Sequence, residues 1–289
     1  MTLQPNSPMV TTTWLEQHLD NKELILLDAS MSKIVGKKPL LYETFSCICG
    51  AQKLDLENEL CDLTSSQNNA FPTADQFVNI ISELGITQKS LVVIYDNQGI
   101  YSSPRAWWIF KTMGFGHVYV LDGGLPQWLA EGRATTNRFL PVATPALSLR
   151  HANKSQVKMQ HAWVCDSAYL LDQLTNDQIN IFDARGAERF LGQSSEPRKG
   201  VRCGHIPNSI NLPFSQVLQG HRLKTTEELK HIFIRLIKEQ DVQRIFSCGS
   251  GITACILILA SVESGYHHNV LYDGSWAEWG SDHTLPVEW

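Results

Sequence analysis

A chain of 289 residues, 43% of them hydrophobic, has enough apolar material for a real core, and at about 150 residues per domain its length fits two domains. The formal charge of −5 is spread along the chain without a block of Lys and Arg, which argues against nucleic acid as a partner, and no apolar run approaches the ~18 residues of a membrane span. Seven cysteines, an odd number with no Cys-x-x-Cys spacing, read as reduced thiols, and the polar stretch Met1–Leu15 lacks the basic start and apolar run of a signal peptide, so the cytoplasm is the expected location.

Leu24-Ile25-Leu26-Leu27-Asp28-Ala29 is a short apolar run closing on Asp, the pattern of a strand buried in a parallel sheet. Cys47-Ile48-Cys49 and, much later, His267-His268 are the tight clusters of metal-ligand types, but neither has a second half at zinc spacing. No metal or cofactor is expected, and Cys47 and Cys49 read as small buried apolar residues. Phe77, Ile80, Ile81 and Leu84 fall at helical spacing between Thr73 as N-cap and Gly85 as stop. Val92-Val93-Ile94-Tyr95-Asp96 is a second strand, Pro104 suits the first turn of a helix running to Met113, and Tyr119-Val120-Leu121-Asp122 is a third strand. The stretch Ala134–Gln156, rich in Thr, Pro, Ala and Asn and without a sustained period, reads as a linker, with the domain boundary near residue 145.

The second half repeats this order. Ile179-Asn180-Ile181-Phe182-Asp183-Ala184 answers to the first strand, Arg244-Ile245-Phe246-Ser247-Cys248 to the second, and Leu271-Tyr272-Asp273-Gly274-Ser275-Trp276 to the third. Leu229, Ile232, Phe233, Leu236 and Ile237 mark a helix opened by a capping box of Thr225 and Glu228, and Ala254–Val262 reads as a buried helix. Strands alternating with helices predict an α/β fold of two tandem domains, each a mainly parallel sheet flanked by helices.

Cys248 ends a buried strand and is followed by Gly249-Ser250-Gly251-Ile252-Thr253 and a helix start. Glycines let successive N–H groups turn into a concave nest, and the helix N-terminus adds partial positive charge, so a thiolate or persulfide would be stabilised there by backbone alone. The alternative is a buried apolar cysteine in a tight turn. Loops at the carboxyl ends of parallel strands are the usual place for sites, which favours chemistry.

Cys248-Gly249-Ser250-Gly251-Ile252-Thr253-Ala254, together with Asp183-Ala184-Arg185, Gly204-His205-Ile206-Pro207-Asn208-Ser209, Ser103-Pro104-Arg105-Ala106-Trp107-Trp108 and the tandem repeat itself, resembles the 3-mercaptopyruvate sulfurtransferase family with its two rhodanese domains, from about Trp14 to Trp289. The resemblance implies a non-catalytic rhodanese-like domain at residues 1–145, with a linker to about 156, and a catalytic one at residues 146–289. It implies that Cys248 takes sulfur from a small-molecule donor, 3-mercaptopyruvate, releases pyruvate, and passes the sulfur from a persulfide to an acceptor: a thiol, such as thioredoxin or a small thiol, or cyanide. Ping-pong kinetics follow from such two-step covalent transfer. Arg189 and Arg198 align with the family's substrate-binding arginines; without the resemblance both would read as solvated surface charges. Gly249, Gly251, Ile252 and Thr253 would line the substrate, and Arg105 is a third cationic candidate for binding or for a structural ion pair. Arg185 is assigned to structure.

Ser250 either hydrogen-bonds the reacting sulfur or the donor's carbonyl, the favoured reading, or is simply small enough for the turn. Relatives that prefer thiosulfate commonly carry Arg-Lys-Gly after the cysteine, whereas Gly249-Ser250 suits a less charged donor. The family's triad places a His and an Asp of the first domain beside Ser250. Here Cys47 stands for the His, and Gly36, Lys37 and Lys38 stand where the Asp is expected, leaving proton delivery to water, Ser250 or the substrate. His205 reads as a turn-stabilising residue, and Asp96 leaves the first domain without a nucleophile. Two other classes remain for comparison: thiosulfate:cyanide transfer and a non-enzymatic sulfur-carrier module. A cysteine phosphatase is disfavoured because Ala254 stands where its phosphate-binding Arg is needed.

Overall fold

Short apolar runs alternating with helical periods build two parallel sheets in a computed structural model that describes residues 5–142, 147–237 and 242–289. The chain forms two units. One takes the chain up to Asp62, then Phe71–Gln160 and Gly220–Leu223; the other takes Leu63–Ala70, His161–Gln219 and Lys224–Trp289. Both units are therefore discontinuous in sequence.

In the first unit β1 (Met9–Val10), β2 (Leu24–Asp28), β3 (Ala51–Lys53), β4 (Leu91–Tyr95) and β5 (Val118–Leu121) lie in the order β1-β5-β4-β2-β3, every neighbour parallel. In the second, β6 (Val164–Cys165), β7 (Ile179–Asp183), β8 (Ser209–Asn211), β9 (Gln243–Ser247) and β10 (Asn269–Tyr272) lie in the order β6-β10-β9-β7-β8, again all parallel. The orders are the same, so the sequence repeat is also a repeat of topology. Every residue of β4 is buried, which is why the segment reads as an unbroken apolar run rather than an alternating one.

The capping signals act as their chemistry predicts. Thr73 accepts from Gln76 N–H and the Gln76 side chain returns to Thr73 N–H, opening the helix Ala74–Glu83; Thr225 and Glu228 do the same for Thr226–Leu236. The helix Ala254–Glu263 is buried almost throughout, as its apolar run predicts.

One segment differs from expectation. Within Ala134–Gln156, Thr135–Thr136 pairs with Cys47–Ile48 as a short antiparallel ladder, and Leu147–Gln156 is a helix. Its one buried residue is Asn153, whose amide donates to Ser82 Oγ and to the Ile86 carbonyl at 3.0 Å each. Lys154 of the same helix pairs with Asp75 at 2.9 Å, and a helix held through polar side chains has no apolar stripe, so periodicity cannot reveal it. The boundary expected near residue 145 lies outside the described residues.

Candidate active site

Both units leave their central strand through a loop of the same design. Asp96, Gly99 and Ile100 after β4 match Cys248, Gly251 and Ile252 after β9, and Gly99 and Gly251 both take positive φ, 103° and 76°. Leu125 N–H bonds the Asp96 carbonyl in one unit, and Trp276 N–H bonds the Cys248 carbonyl in the other.

The first unit shows what the loop holds. The Asp96 carboxylate accepts from the N–H groups of Gln98, Tyr101, Ser102 and Ser103 at 2.8–3.0 Å and from the Ser103 hydroxyl at 2.7 Å. It is an internal anion seated in an amide nest at a helix start. The matching amides in the second unit belong to Ser250, Thr253, Ala254 and Cys255. Cys255 N–H is turned to the Ile252 carbonyl at 3.1 Å, while those of Ser250, Thr253 and Ala254 meet no acceptor among the described residues. Cys248, 2% exposed, stands at the chain position of Asp96, at the head of a loop that keeps three of the four matching amides open among the described residues.

Ser275 holds this loop in place, a role the sequence reading missed. Its hydroxyl accepts from the N–H groups of Cys248 and Gly251, both at 3.1 Å, reaches the Tyr272 carbonyl at 3.0 Å, and lies 4.0 Å from Cys248 Sγ. Ser275 does so at φ 51°, a left-handed conformation unusual outside glycine. The first unit has Gly124 at the equivalent place with φ 53°, where any Cβ would collide with the Asp96 and Gly99 carbonyl oxygens. Ser275→Ala keeps the strained backbone and removes the hydroxyl to which the Cys248 and Gly251 N–H groups donate, an expected loss of about 1–3 kcal/mol. Ser275→Gly relieves the strain and is expected to lose less. Urea midpoints of both variants test this, and an equal loss would remove the strain from the account.

The arginines come from the segment after β7. Arg185, 2% exposed, bonds Asp183 at 2.7 Å, Glu196 at 2.9 Å and the Gly204 carbonyl at 2.8 Å, with its guanidinium 4.4 Å from the Trp276 ring centre. Glu196 in turn pairs with Arg189 through Nε at 3.2 Å and Nη2 at 2.5 Å. A Cβ placed on Gly249 would lie 3.3 Å from Arg189 Nη2 and 3.9 Å from Arg198 Nη1, so both predicted arginines reach the Cys248 loop. Arg198 forms no ion pair among the described residues, whereas Arg189 is held by Glu196. Arg198 also lines a cavity of about 450 Å³ with Gln67, Asn68 and Glu278.

Asn69, in the segment Leu63–Ala70 that joins the second unit, donates from Nδ2 to Ser250 Oγ at 2.9 Å and lies 3.4 Å from the Ser250 carbonyl. This partner was also missed, since its surroundings, Ser65-Ser66-Gln67-Asn68, carry no periodic or motif signal. An amide orients a hydroxyl but neither takes nor gives a proton at neutral pH.

The remaining candidates fall as follows. Gly249 and Gly251 belong to the loop, Ile252 is buried beside it, and Thr253 is the N-cap of the following helix without a side-chain cap bond. Cys255 Sγ turns to the Gly251 carbonyl at 3.3 Å. Arg105 is 1% exposed in the first unit, its guanidinium 5.1 Å from the Phe71 ring centre. Cys47 is fully buried, its thiol donating to the Thr136 and Arg138 carbonyls, and burial pushes it up to about 11, so it remains a neutral thiol. His205 is stacked on Phe190 with Nδ1 2.8 Å from the Phe190 carbonyl, a turn-bracing position.

Residues 11–131 and 166–282 each match the family model described as the rhodanese-like domain. Over 98% of its length the chain is 35% identical to thiosulfate/3-mercaptopyruvate sulfurtransferase 1, mitochondrial, of Arabidopsis thaliana, covering 78% of that protein. It is 34% identical over 96% of its length to the 3-mercaptopyruvate sulfurtransferase of Escherichia coli (strain K12), covering 97% of it. The crystal structure of SseA from Escherichia coli, described as a 3-mercaptopyruvate sulfotransferase with the rhodanese fold, matches with a TM-score of 0.77 at 30% identity over 94% of this chain and 99% of that one.

Proposed function

The chain belongs to the tandem rhodanese-domain family of 3-mercaptopyruvate sulfurtransferases, and from that premise we propose that it moves sulfur from 3-mercaptopyruvate to a thiol acceptor through a persulfide on Cys248. The Cys248 thiolate attacks the donor sulfur. The carbon–sulfur bond breaks with its electron pair going to carbon, giving the enolate of pyruvate, which takes up one proton, and Cys248 keeps the sulfur. An acceptor thiolate, on thioredoxin or a small thiol, then attacks the outer sulfur and returns Cys248 as thiolate.

The observation that carries this reading is the match between Cys248 and Asp96: the first unit seats a carboxylate in the loop where the second has sulfur and unpaired amides. The amides of Ser250, Thr253 and Ala254 support the persulfide's charge. Arg198, with Arg189 beside it, holds the donor carboxylate. Ser250, its oxygen occupied by Asn69, turns its proton to the donor carbonyl and the enolate it becomes. Catalysis belongs to the second domain and the first is non-catalytic, since its cradle is already filled. All seven cysteines are free thiols, the state a reducing compartment maintains, and the cytoplasm is the compartment we assign.

Thiosulfate is the competing donor. Gly249 and Ser250 put no cationic side chain inside the loop, which favours the mercapto acid. Comparing kcat/KM for the two donors on one preparation tests this: 3-mercaptopyruvate is expected to be the better, and a higher value for thiosulfate would overturn the assignment. Arg198→Ala is expected to raise KM for 3-mercaptopyruvate about 10- to 100-fold, the scale of a lost charge-assisted hydrogen bond, with a smaller change in kcat. An unchanged KM would remove Arg198 from the site.

A further inference from the structure

The two repeats part company at the carboxyl end of their first long strand. In the second unit the Arg185 guanidinium fills the space between Asp183, the Gly204 carbonyl and the Trp276 ring. Strand register places Asp28, Ser30, Ser46 and Leu125 at the corresponding positions of the first unit: Asp28 stands opposite Tyr95 as Asp183 stands opposite Ser247, and Leu26 opposite Ala51 as Ile181 opposite Ser209. The first unit thus keeps the carboxylate, replaces the arginine by serine and the tryptophan by leucine, and has lost the cation.

All four of those residues line one cavity of about 500 Å³ in the first unit, a volume typical of small-molecule sites. Asp28 at its wall is 4% exposed and forms no ion pair among the described residues; it accepts from Ser30 N–H at 2.9 Å and from the Ser30 hydroxyl. Burial raises its proton affinity against the opposing hydrogen bonds from Ser30 and Tyr95, with a smaller push from the Asp96 charge, and a cation beside the carboxylate would offset that cost of burial. The nearby lysines are turned elsewhere: Lys53 lines the cavity but bonds Asp55 at 2.8 Å, and Lys37 donates to the Gln98 carbonyl at 3.0 Å. Tyr42, Phe45 and Phe139 form the other walls, with the two phenyl rings edge to face at 5.1 Å. A buried carboxylate with aromatic faces suits a planar, delocalised cation better than a compact, strongly hydrated ammonium.

We propose that this cavity binds a small molecule carrying a guanidinium group, which takes the place that the Arg185 side chain fills in the second repeat. The site is independent of the sulfur chemistry at Cys248. Calorimetric titration of the full chain with methylguanidinium chloride tests it, with urea as the neutral isostere and ethylammonium as the non-planar cation. Saturable one-to-one binding of methylguanidinium is expected, with urea silent and ethylammonium at least tenfold weaker. Asp28→Asn is expected to weaken methylguanidinium binding at least tenfold. Ser30→Arg, which supplies the guanidinium from the chain itself, is expected to abolish that binding and to raise the thermal midpoint, with persulfide formation at Cys248 retained as a check on folding. Absence of saturable binding, equal binding of ethylammonium, or binding that Ser30→Arg leaves unchanged would each overturn the proposal.

Discussion

Cys248→Ser is expected to gain no sulfur when mixed with 3-mercaptopyruvate, while the parent protein gains one sulfur atom on the peptide that holds Cys248. Intact-protein and peptide mass spectrometry read this directly. Turnover should fall by about 10³-fold or more, because a serine hydroxyl at neutral pH is a far weaker nucleophile toward sulfur than a thiolate and cannot form a persulfide. The other six cysteines provide an internal control. Cys255 and Cys47 are fully buried with their thiols on backbone carbonyls, and burial pushes Cys165 well above the usual thiol range, so none of these is poised to take the sulfur. Sulfur appearing on another cysteine in the Cys248→Ser protein would sink the assignment.

Arg185→Ala is expected to cost about 3–5 kcal/mol, the scale for removing one partner of a buried ion pair. Asp183 and Arg185 are each 1% exposed at the side chain, and Glu196 is 4% exposed. The truncation leaves the Asp183 charge with no cation in reach and Glu196 with Arg189 alone. Arg185→Lys should recover only part of the loss, since one ammonium cannot reproduce the fork that serves Asp183, Glu196 and the Gly204 carbonyl together. Calorimetric unfolding of the three proteins checks the order: parent, then Lys, then Ala. An Arg185→Ala protein as stable as the parent would show the pair to be dispensable.

What the structure added follows a physical pattern. The helix Leu147–Gln156 has no apolar stripe to read because its contacts to the rest of the first unit run through polar side chains, Asn153 and Lys154. Asn69 on Ser250 joins residues far apart in sequence through a segment without repeat or motif. Ser275 stood in the matched repeat, but that its side chain braces the Cys248 loop depends on a left-handed backbone that no composition or spacing specifies. Cys47 in place of the family's histidine was visible as a substitution; that it is a sealed, neutral thiol depends on the Thr136 and Arg138 carbonyls around it.

The sequence by itself determined the repeat, the order of the three long strands in each half with the helices read between them, the two helix N-caps Thr73 and Thr225 and the position of Cys248 at a strand end, because apolar periodicity and helix caps are local and survive without knowledge of the partner. Only the tertiary structure decided what the amides of the loop after each central strand meet, the Asp96 carboxylate in one unit and no acceptor at Ser250, Thr253 and Ala254 among the described residues in the other, and which arginine is spoken for. Those outcomes depend on where backbone N–H groups and buried charges end up in space, and the energy of an ion or an amide is set by its neighbours across the fold rather than by its neighbours in the chain.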